Sequence, residues 1–549
     1  MISKRIVSVL SLATLALGIN AQTLDLGAPN SWKNQIVEPS YIAMPAVDVD
    51  EQLAIDSTNK ANGYDKVYRF GYEHHVSIDV FENGQSYLNA NNEKVTLLGV
   101  ECPEAISVNL IFDEFELAEG ALLYVYNDNK SQFIGAHSAE NNNPNKSLGL
   151  DLIYDSKIII EVIEPQDIVG ESTLTLGTVV HGYKDLKEIA YHFHLKGLND
   201  SGDCNVDVNC PEGAGWEAQR NGVAILVAGG GFCSGSLINS ETNTSSNITP
   251  YFLTANHCNP SSVVNAVFRF RWEAPYDGTS CATTGFSTNA LQNKNVNGSQ
   301  LKANNINADF ILVELNNVPN AEWGVYYSGW DMTGDPVDSA VGIHHPSGDI
   351  KKFSKEQDPL TKQGPTFFNG GDAYFWRIAD WDVGVTEPGS SGSPLFNKEK
   401  RIVGVLSAGA AACAGTNDNN QYDIYGRFDI AWDDQPSASD QLKIWLDPNN
   451  TGITTMDGLA SNVGIFEKED DSFEFNIYPN PNTGDFNINL GMKNTEKNIT
   501  VFNALGKEVK NLSTSKEKVS IDMKDYPKGV YLVKINSGTV SGVQRLVIQ

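Results

Sequence analysis

The chain has 549 residues and a formal net charge of −29, from 68 acidic against 39 basic side chains. That length is too great for one hydrophobic core and predicts three or four domains. So acidic a composition argues against a nucleic-acid partner, which would need basic groups to neutralise phosphate, and predicts a well-solvated surface.

In chain order, residues 1–21 read as a cleavable export signal: Lys4 and Arg5 precede an apolar stretch from Ile6 to Leu17, and the small Ala21 closes it. The stretch is too short to span a bilayer as an ordinary helix, and no later segment is long and apolar enough, so no transmembrane segment is expected in the mature chain. Residues 22–196 form a β-rich unit. Runs such as Val76–Val80, Ala121–Tyr126 and Lys157–Val162 alternate with Asn/Asp/Gly turns, which predicts a sandwich or jelly-roll-like domain. His74, His75, His192 and His194 have no acidic or thiol partners at metal spacing and are read as structural.

The chemistry concentrates in residues 197–462. In Val385–Phe396, VTEPGSSGSPLF, the glycines permit a tight turn that exposes its middle serine, making Ser391 the candidate nucleophile. The same turn can aim the main-chain N–H groups of Gly389 and Ser391 into one oxyanion hole. Upstream, the apolar run Tyr251–Ala255 leads into His257, and Asp309 heads the strand-like run Phe310–Leu315. The order His257, Asp309, Ser391 is that of chymotrypsin-type enzymes, not of subtilisin-like or α/β-hydrolase enzymes.

The stretches CNVDVNCPEG, CSGSLIN, YFLTANHC, ADFILVELNN, GIHHP, GVTEPGSSGSPLF, YGRF and WLDPNNTG give the segment 197–462 a resemblance to the secreted bacterial lysyl endopeptidases, a branch of the chymotrypsin-like serine proteases. The resemblance implies a double β-barrel in which His257 is general base, Asp309 orients it, and Ser391 attacks the scissile carbonyl. Six of the seven cysteines fall in this segment, where an exported chain favours disulfides over a metal site, and the sequence alone allows 15 pairings. The resemblance implies Cys204 with Cys413, Cys210 with Cys281, and Cys233 with Cys258, leaving Cys102 unpaired.

It also bears on specificity and activation. In trypsin-like enzymes an acid six residues before the nucleophile selects basic side chains, but here that residue is Val385. Lysyl endopeptidases place the acid two residues before a Tyr-Gly-Arg stretch, which makes Asp423 the candidate for binding Lys or Arg. The main chain of Ser407, Ala408 and Gly409 is expected to pair with an extended substrate. Best-known members carry a histidine on that strand and a tryptophan beside the cleft, where this chain has Ser407-Ala408-Gly409 and Phe367-Phe368-Asn369. Preference for basic residues is therefore expected rather than strict preference for lysine. His344 and His345 are read as core or loop support. Ser390 stands where trypsin has the aspartate that pairs with a freed amino terminus, so an oxyanion hole formed in advance is expected. Cleavage after Lys196 would free a protease starting at Gly197. Residues 22–196 then read as a propeptide that folds with the enzyme and covers its cleft as an inhibitor, a carbohydrate-binding module being the alternative.

Residues 463–472 form an acidic linker containing Glu467-Lys468-Glu469-Asp470-Asp471. Residues 473–549 are again β-rich, with Tyr478-Pro479-Asn480-Pro481-Asn482-Thr483-Gly484, Gly529–Ile535 and the terminal Arg545–Gln549 predicting a small antiparallel sandwich. These motifs resemble the C-terminal sorting domains of the type IX secretion system of Bacteroidetes. The sequence thus predicts a mainly β, secreted or surface-exposed serine endopeptidase acting on proteins or peptides after basic residues. The type IX machinery is its export partner, and no metal or organic cofactor is implied. The alternatives are a catalytically silent adhesin or peptide-binding protein on a protease fold and, more weakly, a metal-dependent hydrolase.

Overall fold

The structure is a computed structural model that describes residues 27–29, 31–34, 37–61, 67–184, 201–274, 281, 294–435, 437–461, 475–490, 497–503, 507–537 and 540–549. The expected export signal, His192, His194, the Lys196–Gly197 junction and the acidic linker lie outside these residues. The chain divides into two compact units, Met1–Asn462 and Val463–Gln549. It is mainly β, with a two-barrel middle region preceded by a β-rich domain and followed, in the second unit, by a small sandwich. Among the described residues no helix is long and apolar enough to cross a membrane.

The N-terminal domain is a sandwich of two sheets. One is ordered Ser40–Ala43, Lys94–Glu101, Lys157–Glu164, Leu122–Asn127 and Phe133–His137; the other runs Gly71–Asp79, Thr173–Gly182, Ser107–Glu116 and Leu148–Gly149. The run at 157–164 is apolar at nearly every position because both of its faces are covered. Ile158, Ile160 and Val162 enter the core between the sheets. Ile159 and Ile163 enter a smaller cluster on the other face, against which Trp32, Tyr41 and Tyr87 pack. Cys102 is a buried free thiol in the main core, and burial pushes its pKa up to about 12.

The first barrel runs Asn295–Asn297, Val267–Phe270, Val223–Ala228, Gly231–Leu237, Tyr251–Ala255, Phe310–Leu315 and Ser299–Asn305. Its end strands are joined by Gly298 alone, at φ +71°, so the sheet closes on itself there. Leu226, Phe252, Phe268, Ile311 and Val313 fill it. The second barrel runs Val206–Asp207, Lys352–Glu356, Ala340–His344, Pro394–Asn397, Ile402–Gly409, Asp423–Arg427, Gly371–Ile378 and Thr361–Phe368. Leu253, Phe310, Trp330, Ile343, Phe396 and Val405 form one apolar cluster drawn from strands of both barrels.

The sandwich docks on the outer face of the first barrel. Tyr68–Arg69 adds a short antiparallel strand to Gly231–Phe232, Phe70 stacks on Phe232 with centroids 4.5 Å apart, and Leu152 and Val180 join Ile225, Val227 and Val267 in one cluster. Full burial of a ring such as Phe70 contributes about 2 kcal/mol. Arg269 pairs with Asp151 through its Nε at 2.9 Å, and Glu73 accepts the Gly230 N–H at 2.9 Å. None of these contacts involves His257, Asp309 or Ser391.

In the second unit, Asn476–Tyr478, Asp485–Asn489 and Lys518–Asp522 form one sheet, and Glu508–Thr514, Lys497–Asn503, Gly529–Ser537 and Val540–Ile548 the other, around Phe486, Ile499, Val533 and Leu546. The Asn-rich turn has a local reason. Asn480 accepts the Val547 N–H and donates to Arg545 O, and Asn482 N–H donates to Val547 O, so the turn holds the terminal strand.

Candidate active site

Strand register brings the first two side chains together. Tyr251–Ala255 pairs with Phe310–Leu315 so that Ala255 faces Phe310, which puts the turn Asn256–Cys258 beside the residue preceding Phe310. Asp309 sits there with φ +47°, nearly inaccessible. Its Oδ2 lies 2.8 Å from His257 Nδ1, and its Oδ1 accepts the His257 main-chain N–H at 3.0 Å. The carboxylate therefore fixes both the ring and the backbone that carries it. A disulfide between Cys233 and Cys258 anchors the same turn to the neighbouring strand.

The third side chain arrives from the second barrel. Ser391 Oγ lies 2.7 Å from His257 Nε2, completing a continuous path from Asp309 to the hydroxyl. Its turn needs both flanking glycines. Gly389 has φ +99° and Gly392 φ +77°; a Cβ on Gly392 would stand 2.1 Å from Thr254 Oγ1, and one on Gly389 2.8 Å from His345 O. Ser234, in the quoted CSGSLIN stretch but assigned no role from sequence, grips the turn twice: its N–H donates to Ser391 O at 2.7 Å and its hydroxyl to Gly389 O at 2.9 Å. The N–H groups of Gly389 and Ser391 donate to no acceptor among the described residues. Such an arrangement can draw the proton from an attacking hydroxyl and offer two fixed donors to a developing oxyanion.

Asp423 begins the strand Asp423–Arg427, opposite Gly409 and Ile378. It is buried, and its Oδ2 accepts from Trp381 Nε1 and Thr386 Oγ1, each at 2.7 Å. Its Oδ1 lies against Gly409, where an added Cβ would come within 1.9 Å of it. The carboxylate is thus walled by the segment leading to Ser391 on one side and the 402–409 strand on the other. Sequence reasoning assigned no role to Trp381 or Thr386; Thr386 lies in the VTEPGSSGSPLF stretch, but nothing local points it at Asp423, 37 residues away. Ser407 is buried and its hydroxyl accepts the Gly426 N–H at 3.1 Å. Pairing between Pro394–Asn397 and Ile402–Gly409 ends at Val405, which leaves Ser407–Gly409 with a ladder only toward Asp423–Arg427. Such a half-paired edge can accept an extended peptide. Phe368 stands edge-on to the His257 ring, centroids 6.5 Å apart, and packs against Phe375.

The structure joins Cys204 to Cys413 and Cys210 to Cys281 as well. Among the described residues one His/Cys/Asp/Glu grouping is close enough to hold a metal, Cys210, Glu212 and Cys281. Its two sulfurs are bonded to each other and offer no thiolate. His74 is buried, and His75 Nδ1 lies 3.3 Å from Thr178 Oγ1. A cavity of about 350 Å³ lined by Asp331, Asp335, Asp338, Arg401 and Asp429 shares no residue with the site. In the WLDPNNTG stretch Asp447 accepts the N–H groups of Thr451 and Gly452, a loop-holding role.

Residues 198–426 match the family described as "Lysyl endopeptidase, C-terminal domain", and residues 476–549 match "Secretion system C-terminal sorting domain". A lysyl endopeptidase of Pseudomonas aeruginosa is 29% identical over 301 residues, covering 50% of this chain. The match takes in 62% of the length of that relative. Among solved structures, the Rv3671c protease in its inactive form is 12% identical over 41% of this chain and 91% of its own, with a TM-score of 0.26. A Glu endopeptidase in complex with MPD is 18% identical over 42% and 93%, with a TM-score of 0.25. Neither structural likeness is near enough to bear on the site.

Proposed function

We propose that this chain, whose residues 198–426 match a lysyl endopeptidase C-terminal domain and whose residues 476–549 match a secretion sorting domain, is an exported serine endopeptidase that cleaves after basic residues. The observation that carries the reading is the path Asp309–His257–Ser391, with contacts of 2.8 and 2.7 Å, beside two uncommitted main-chain donors. Ser391 attacks the scissile carbonyl while His257 takes its proton; Asp309 keeps the imidazole oriented and favours its charged form. Negative charge on the carbonyl oxygen meets the Gly389 and Ser391 N–H groups, a contribution of roughly 3 kcal/mol per donor that is largest in the transition state. His257 then protonates the leaving amine, and water resolves the acyl-enzyme by the same steps in reverse.

Specificity rests on Asp423. A carboxylate held by two neutral donors behind the 407–409 edge suits the ammonium or guanidinium of a P1 side chain. Residues 22–196 are read as a propeptide removed by cleavage after Lys196. The sandwich docks on the outer face of the first barrel, and these described contacts do not reach His257, Asp309 or Ser391, so they do not support the expectation that the sandwich itself covers the cleft. The sorting domain marks the chain for type IX export, to the medium or the cell surface.

A fluorophosphonate probe and mass spectrometry of one digested denatured protein test the reading together. Labelling should map to Ser391 and vanish in Ser391→Ala, and cleavage should follow Lys, with or without Arg, in wild type but lose that preference in Asp423→Ala. Absence of labelling in correctly processed protein favours a silent peptide-binding role. Unchanged cleavage after basic residues in Asp423→Ala refutes the pocket assignment alone.

A further inference from the structure

A second set of buried side chains meets the segment leading to Ser391 and takes no part in the proton path above. His344 ends the strand Ala340–His344 and is fully buried, as are Ser354 and Ser390. Its Nδ1 lies 2.7 Å from Ser390 Oγ and its Nε2 lies 2.9 Å from Ser354 Oγ. Ser354 Oγ donates to Val385 O at 2.8 Å, and Ser390 Oγ accepts the Glu387 N–H at 3.2 Å. One order of protons satisfies the whole row. The Ser354 hydroxyl is committed to Val385 O, so Ser354 Oγ accepts from Nε2–H; Nδ1 then accepts from the Ser390 hydroxyl, whose oxygen accepts from Glu387. A neutral imidazole protonated on Nε2 meets every demand.

Both ends of this row are main-chain groups two residues apart, Val385 and Glu387, just before the oxyanion donors. The next carbonyls are held from elsewhere: Pro388 O accepts from Ser347 N–H at 2.6 Å, while Ser234 holds Gly389 O and Ser391 O. The carbonyls from Glu387 to Ser391 are thus all bonded, while the Gly389 and Ser391 N–H groups donate to no acceptor among the described residues. Ser390 lies between them and is the point at which the row enters the loop.

We propose that His344 is a positioning residue for the oxyanion site: through Ser390 it holds the Gly389–Ser391 backbone so that both N–H groups converge before substrate arrives. This rests on the reading of Ser391 as nucleophile. It supplies from inside the fold what a trypsin-like enzyme takes from its freed amino terminus, so no new terminus need insert to form the hole.

The test uses the enzyme as secreted and self-processed, with a lysyl peptide amide as substrate. Ser390→Ala and His344→Ala should lower kcat roughly 10- to 100-fold, the loss that follows a displacement of about 1 Å in reacting groups, with KM within about twofold. Affinity for a lysyl peptide aldehyde, whose adduct carries the oxyanion, should fall by a similar factor, and affinity for the cleaved product peptide should not. His344→Asn, whose amide stands where Nδ1 does, should recover most of kcat; His344→Gln, whose amide reaches toward Ser354, should not. If His344→Ala fails to fold, Ser390→Ala decides by itself. Unchanged kcat and aldehyde affinity in folded Ser390→Ala overturns the inference while leaving the endopeptidase reading intact. So does equal recovery by Asn and Gln. Wild-type protein that neither labels nor cleaves overturns the endopeptidase reading itself, and the inference with it.

Discussion

The two barrels place their contributions to the site by different means. In the first, regular backbone does it: the register of Tyr251–Ala255 on Phe310–Leu315 puts His257 beside Asp309. In the second, Ser391 lies on an irregular turn held by side chains of Ser234, Ser354 and His344. The difference follows from what each group must do. A base and its orienter act through side chains, which a ladder can carry. Oxyanion donors are main-chain N–H groups, which a ladder would consume, so the turn bearing them must be kept out of the sheet and fixed by other bonds.

The sharpest way to break this comparison is at the first barrel. Asp309→Asn leaves the register intact but removes the charge and offers the wrong tautomer to His257, so kcat should fall about 10⁴-fold, read on a lysyl peptide amide. A fall of less than tenfold would mean that register alone suffices. Next, replacing Cys233 and Cys258 together by alanine should cost on the order of 3 kcal/mol in urea unfolding, the loop-closure value for a separation of 25 residues. The kcat should drop only a few-fold if the ladder does most of the placing. A larger drop would move the first barrel toward the behaviour of the second.

The sandwich supplies a contrast, because it buries histidines without a catalytic use for them. Burial lowers His137 from 6.5 to about 4. The unfolded chain therefore takes up that proton first, so stability is whole above pH 6.5 and is lost as pH falls toward 4, by up to about 3 kcal/mol for this group. Unfolding followed by near-ultraviolet circular dichroism at pH 7 and 4.5 checks the loss, and His137→Gln should flatten the dependence. The smallest effect is expected from Cys102→Ala. Losing a buried sulfur should cost about 1 kcal/mol, with kcat unchanged, since the thiol lies in the sandwich core.

Much of the fold was legible. The alternating or continuous apolar runs at 76–80, 121–126 and 157–162 largely coincide with the strands Gly71–Asp79, Leu122–Asn127 and Lys157–Glu164, because strand burial is written locally at period two, although Val80 opens the short helix Val80–Asn83 and Ala121 precedes its strand. The turn at Tyr478–Gly484 was legible as a turn, but not as the clasp on the terminal strand, since Asn480 and Val547 are 67 residues apart. The six cysteines of the protease segment were visible; composition left 15 pairings, and the resemblance implied the three that the structure forms.

Residue types and their order determined what chemistry this chain can attempt: a serine between glycines, a histidine after one apolar run, an aspartate before another. Those properties are carried by neighbours along the chain. Tertiary structure alone decided that Ser234 grips a turn 155 residues away, that His344 reaches Ser390 across 46, and that Trp381 and Thr386 hold Asp423. It also decided that the sandwich docks on the outside of the first barrel. Each depends on burial and hydrogen bonding between distant strands, where a buried polar group takes whichever partner the packing brings within about 3 Å.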